Sequence, residues 1–310
     1  MNHCNRFKTP IVKRSLVWSG LAVAAMATSC VVSDGPLPEP NHGPGVSDEA
    51  SVTADVVWPD TIVVDIPWLD IPILDTTLPP NCPPPTQQLR ATGTNQSALT
   101  VDGGGRTLQA VSIVSDSQTS SQGDSSQIGT NAALLIRQGA NVTLSCSTID
   151  TTGAGATGVF ATGNSTIHLQ DVRIQCEGEG SRGVVATGGS TANLEKVNLV
   201  TTGKGGRGIA VERDGGAVSV SSSLVQTSGS DAPAVFSAGT AMITGGTLAA
   251  AASEAVMIDG GHMVNLADAT LSAGPGDRLQ AVTLFHSGTG DPQAVQAMFT
   301  MDRGALTWSA

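Results

Sequence analysis

The sequence predicts an all-β chain folded as a right-handed parallel β-helix, a solenoid of about seven rungs with coils of 23–26 residues. Three observations carry that expectation. A repeat runs from about residue 131 to 277, apolar columns pass through it unbroken, and the composition suits tight turns rather than helices. Of 310 residues 37 are Gly, only 3 % are aromatic, and Tyr is absent, which fits an all-β repeat protein better than a helical one.

The repeat is clearest in TGVFATGNSTIHLQDVRIQCEGEGS (157–181), RGVVATGGSTANLEKVNLVTTGKGG (182–206) and RGIAVERDGGAVSVSSSLVQTSGSD (207–231), each 25 residues long. Further units lie at 131–156, 232–254 and 255–277. One column reads Val142, Ile167, Ala192, Val218, Ala241, Val264, and a second reads Leu144, Leu169, Leu194, Val220, Ile243, Leu266. A third reads Ile149, Ile174, Leu199, Val225, Leu248, Leu271. Steps within a column are 25, 25, 26, 23 and 23, so insertions and deletions fall in turns. Between the first two columns stand Thr143, His168, Asn193, Ser219, Met242 and Asn265, polar apart from Met242. Apolar-polar-apolar is strand alternation, two side chains inward and one outward. Gly-Asn-Ser and Gly-Glu-Gly stretches interrupt any helical run. Each unit is therefore about three short strands joined by turns. One coil cannot bury its own apolar side chains, whereas coils stacked at ~4.8 Å can. The block TLQAVSIVSDS (107–117) fits the same columns through Leu108 and Ile113. The Ser/Gln/Gly-rich insertion at 115–131 then predicts a mobile, protruding loop.

The remaining chain divides by composition. Residues 1–29 read as a lipoprotein signal peptide: Arg6, Lys8, Lys13 and Arg14 precede the short apolar stretch SLVWSGLAVAAMATS. Fifteen residues are too few to span a bilayer comfortably. Ala27-Thr28-Ser29-Cys30 resembles a bacterial lipobox, which makes Cys30 the lipid-attachment residue, with Ala27 in place of the usual Leu. No Asp follows Cys30, which points to the outer membrane or cell surface. Residues 30–90 are Pro-rich and acidic, a semi-rigid tether. Within them VVWPDTIVVDIPWLDIPIL is apolar enough to serve instead as an N-terminal cap over the unpaired edge. Residues 91–310 form the β-helix.

Charge and site chemistry exclude more than they assign. Formal net charge is −11, and from Cys30 onward 26 acidic residues face 11 Lys and Arg, a net of −15. That repels phosphate backbones, so nucleic acid is not an expected partner. Cys82, Cys146 and Cys176 are an odd set, so no complete disulfide framework is expected. In the column register Cys176 matches the inward Thr151 and Cys146 the turn residue Asp171, too far apart to bridge. No Cys/His cluster supports a metal site, and no cofactor is implied. VDGGGRT (101–107) is a lone Gly-rich turn, and His168 takes an outward strand position. Asp150, Asp171, Asp214, Asp231, Asp259, Asp268 and Asp277 are scattered in or beside turns, so no catalytic residue is assigned.

Arg182 and Arg207 occupy one position in adjacent rungs, where they stack about 5 Å apart and require an anion between them. Glu177, Glu179 and Asp231 are the candidate structural counter-ions. The functional alternative is a small anion- or glycan-binding site, because guanidinium forks suit carboxylate and sulfate.

The stretches GTNAALLI, GVFATGNSTIHL, SRGVVATGGS and DAPAVFSAG resemble adhesin-like bacterial surface proteins with right-handed β-helices, related in shape to pectate lyases and polymorphic outer-membrane proteins. The resemblance spans about residues 97–310 and implies the fold, a cell-envelope location and glycans or other surface proteins as partners. It transfers no catalytic residue. The expected function is a lipid-anchored, non-enzymatic surface protein, adhesin-like or structural. The alternatives are a carbohydrate-active enzyme on the same scaffold and a truncated module of a larger envelope assembly.

Overall fold

A computed structural model describes residues 56–57, 78–120, 128–212, 214–274, 280–285, 287 and 297–308. The signal segment, Cys30 and, apart from Val56–Val57, the Pro-rich stretch up to residue 77 lie outside the described residues, as does Asp277. Val56–Val57 pairs in parallel with Phe299 and Thr300 in the last coil.

The chain is a parallel β-solenoid with three strands per coil. The first face is an eight-stranded parallel sheet whose middle members are Thr157–Ala161, Arg182–Ala186 and Arg207–Val211. The second face contains Asn141–Ser145, Thr166–Gln170 and Thr191–Glu195. The third contains Thr148–Thr151, Arg173–Cys176 and Asn198–Thr201. Two long strands, Ala217–Thr227 and Thr240–Ala250, run through the corner and join the second and third faces into one 16-stranded sheet.

The apolar columns are the core, and their register is the one the repeat implies. Ile167 pairs with Val142 and Ala192, Leu169 with Leu144 and Leu194, and Ile174 with Ile149 and Leu199. An insertion of one residue and a deletion of two leave the pairing intact, as Ala192↔Val218 and Val218↔Ala241 show. All of these side chains are at most 2 % exposed. The earlier block also fits: Leu108 pairs with Leu144 and Ile113 with Ile149. Each buried Leu or Ile contributes roughly 2 kcal/mol.

The corner between the second and third faces is turned by one left-handed residue per coil. Cys146, Asp171, Lys196, Ser222 and Asp268 have φ between 46° and 53°. A left-handed non-glycine residue costs about 1–2 kcal/mol. Coil-to-coil backbone bonds at the same position offset it: Cys146 N–H donates to Gln170 O at 3.1 Å, and Asp171 N–H to Glu195 O at 3.1 Å. The bend also turns the corner side chain outward, away from the columns.

The insertion after residue 115 is less free than its composition implies. Ser117 and Asn131 are buried. Ser117 Oγ accepts from Gln96 N–H at 2.9 Å, and Asn131 Nδ2 donates to Ala154 O at 3.3 Å. Small polar side chains read as loop material here satisfy buried backbone groups. Only 121–127 lie outside the described residues.

One test of the register compares neighbours in a single strand. Leu194→Asp should abolish cooperative folding, because it loses roughly 2 kcal/mol of burial and sets an unpaired carboxylate between Leu169 and Val220. Asn193→Asp, on the outward and half-exposed position, should shift the thermal midpoint by no more than a few degrees. Equal loss in both variants would mean that the alternation is misassigned.

Candidate functional site

Arg182 and Arg207 face each other in register on adjacent strands of the first face. The glycine after each of them explains their orientation. A Cβ on Gly183 would lie 2.6 Å from the core atom Leu199 Cδ1 and 2.6 Å from Gly208 O. That position therefore points inward, and the register of the two strands is the same on either side of it, Arg182 opposite Arg207 and Val184 opposite Ile209. Gly183 and Val184 thus both face inward, and the alternation that follows is shifted. Outward positions on this strand become 207, 210 and 212.

That shift brings Glu212 onto the arginines. Arg207 Nη1 donates to Glu212 Oε1 at 2.8 Å, and Arg182 Nε lies 3.2 Å from the same oxygen without the alignment of a hydrogen bond. Arg207 also stacks on Phe236, its guanidinium carbon 3.7 Å from the ring centroid. The three charged side chains are 13–25 % exposed. Burial lowers both arginine pKa values from the ordinary value, and Glu212 opposes that shift. Both groups remain cationic, since arginine titrates far above neutrality. The bridging anion is thus Glu212, not Glu177, Glu179 or Asp231. Glu212 was missed because plain alternation does not contain the two successive inward residues at the glycine.

The middle strands of the first face are covered on both sides. Phe160, Val185 and Ala210 point outward, yet they are fully buried and form an apolar cluster with Ala132 and Leu135. The insertion contributes to the cover, because a Cβ on Gly129 would lie 2.5 Å from Phe160 Cγ. A parallel sheet covered on both faces reads as an almost continuous apolar run, as GVFA and GVVA do. The second face is the open one. His168, Gln170 and Glu195 are exposed and Thr166, Thr191 and Asn193 half-exposed. His168 Nδ1 lies 3.3 Å from Asn193 Nδ2 along this ladder.

Several scattered acids act as clasps between coils. Asp150 accepts from Arg173 Nη2 at 2.6 and 2.8 Å, and Asp268 accepts from Arg303 at 3.0 and 3.1 Å. Asp102 pairs with Arg137 and Asp116 with Arg90 in the same manner. No group of three or more His, Cys, Asp or Glu among the described residues is placed to hold a metal ion. No described helix is long and apolar enough to cross a membrane.

The cysteines correct one expectation and keep another. Cys82 and Cys146 form a disulfide with Cα atoms 5.2 Å apart, so the odd set contains one bridge. Cys176 is free and buried, pairs in register with Thr151, and is not joined to Cys146. Burial pushes its thiol up to about 12, which leaves it inert at neutral pH. The outward corner of Cys146 and the inward column of Cys176 were legible. The return of the Pro-rich segment to that corner was not.

The fold defines the class: a parallel β-solenoid with one face covered over its middle strands, one open polar face and a disulfide at the corner. No protein-family model, curated protein or solved structure matches the chain.

Removing the shared anion tests the Arg182–Glu212–Arg207 arrangement. Glu212→Gln should lower stability by about 1–2 kcal/mol, less than a fully buried pair because water still reaches it. Added sulfate should recover part of the loss in the variant and less in the parent. An unchanged thermal midpoint would show that the glutamate does not hold the pair.

The Asp102 clasp has a pH signature. The hydrogen bond from Arg137 lowers the Asp102 carboxyl below the ordinary aspartate value. A depressed folded pKa stabilises above the unfolded value, and the contribution disappears as pH falls through the folded one. An NMR titration should place the Asp102 midpoint below that of an unpaired aspartate, and Arg137→Gln should move it back up. Identical midpoints in the two proteins would contradict the pairing.

Proposed function

We propose that the chain is exported, anchored to the outer membrane or cell surface by a lipid on Cys30, and acts as a non-enzymatic, adhesin-like binding protein. The observation that carries the export reading is the Cys82–Cys146 disulfide. Structural disulfides persist in oxidising compartments outside the cytoplasm. The basic and apolar N-terminal segment ending in Ala27-Thr28-Ser29-Cys30 supports the same placement. The resemblance to right-handed β-helix surface proteins adds the adhesin-like role.

The distribution of carboxylates supports binding over catalysis. Asp102, Asp116, Asp150 and Asp268 are engaged by arginines of neighbouring coils, and Glu212 by Arg182 and Arg207. Carboxylates held in this way do not converge on a substrate as hydrolysis requires. The open second face offers hydroxyl and amide groups suited to glycans or to other surface proteins, and the net acidity disfavours nucleic acid. Arg182 and Arg207 fit an internal ionic brace better than an open anion or glycan site, because Glu212 already supplies the anion between them.

Two measurements test this reading. Labelled fatty acid should enter the parent and not the Cys30→Ala variant, and unchanged labelling would remove the anchor. A glycan-array screen of the purified protein should show retention without shortening of the bound chains. Depolymerisation of a retained glycan would replace the binding reading with an enzymatic one.

A further inference from the structure

We infer that the Cys82–Cys146 disulfide is a mechanical staple that carries tension from the N-terminal segment directly into the second coil, bypassing the edge of the solenoid. The inference rests on the proposed anchor for its biological setting, since a protein held at Cys30 is pulled from that end when its open face is engaged.

The route of force follows from where the segment is attached. Leu78 to Pro85 contains five prolines, each without a donor. Its backbone bond from Cys82 N–H to Pro79 O is internal, and Thr86 N–H, donating to Ala110 O at 2.8 Å, begins its hydrogen bonding to the solenoid. Among the described residues the strand that follows, Gln87–Ala91, is the end strand of its sheet and pairs only with Val111–Ser115. Once the two-residue pairing of Val56–Val57 with the last coil has parted, tension from the N-terminus would, without the disulfide, reach this edge next. An edge strand pulled from one end peels one hydrogen bond at a time.

With the disulfide, tension enters at Cys146. This residue is the left-handed corner between Asn141–Ser145 and Thr148–Thr151. The first of those strands pairs with Gly105–Gln109 and Thr166–Gln170, the second with Val111–Ser115 and Arg173–Cys176. Both are held on two sides, so no single row of bonds can be peeled. The first coil and the edge strand lie inside the covalent loop and bear no tension. Outward orientation of the corner makes the link available, whereas Cys176 in the core could not receive it.

Single-molecule pulling of the full chain by handles at its two ends tests the staple. Three samples are compared: oxidised parent, parent reduced with dithiothreitol, and Cys82→Ser, with Cys146→Ser as a second break. Far-UV circular dichroism checks that each is folded before pulling. Reduced parent supplies the comparison if a variant fails to fold. Both forms should first release the Val56–Val57 pairing, and only the oxidised chain should then withhold the Cys82–Cys146 loop from extension. Its total extension should also be shorter by about 220 Å, the contour of the 64 residues between the cysteines. Reduced parent and variants should show an additional low-force step as the edge peels. Absence of that additional low-force step in the reduced protein would overturn the staple. The handles replace the lipid, so this result is independent of labelling at Cys30.

Discussion

Every coil depends on the coil above and below it, because three strands of four or five residues enclose too little apolar surface to remain folded alone. Stacking in register removes that difficulty. Ile167 lies between Val142 and Ala192, and Leu169 between Leu144 and Leu194, so each core side chain is covered by its own counterparts. The same stacking completes the backbone bonds of every interior strand. Register is therefore the constraint that the corners, the clasps and the covered face all serve. A one-residue slip would turn Asn193 and His168 inward and expose the leucines.

The outside of the molecule is organised by departures from that regularity. At Gly158, Gly183 and Gly208 two successive residues face inward, so that Phe160, Val185 and Ala210 point away from the core and still become buried. The same shift also places Glu212 between two arginines that would otherwise repel. The left-handed corner projects Cys146 from the wall, and the disulfide uses that projection. Each feature is a local break in alternation compensated by contacts to the next coil.

Much of this was readable from the residues, and the misses share one cause. The three columns, their tolerance of coils shorter by two residues, and the block at Leu108 and Ile113 all appear in the structure with the expected pairing. Cys146 at a turn and Cys176 in the core were legible for the same reason. Period-two alternation, however, cannot express two successive inward residues, so the counter-ion of Arg182 and Arg207 was sought in turns. Nor can it say where a proline-rich segment returns. Cys82 has no column position, and its partner could be identified only from the path of the chain in space. The insertion shows a further limit of composition: Ser117 and Asn131 look like loop residues but satisfy buried backbone groups.

The account stands or falls on the coil spacing over the full length of the second face. Gln109 and Asp302 occupy one outward column, joined through Ser145, Gln170, Glu195, Ser221, Thr244 and Ala267. Seven spacings at ~4.8 Å separate their backbones by about 34 Å. Spin labels on cysteines introduced at those two positions, read by double electron–electron resonance, should give one population centred near that distance. A population well short of it, or two populations of similar weight, would contradict a single continuous stack.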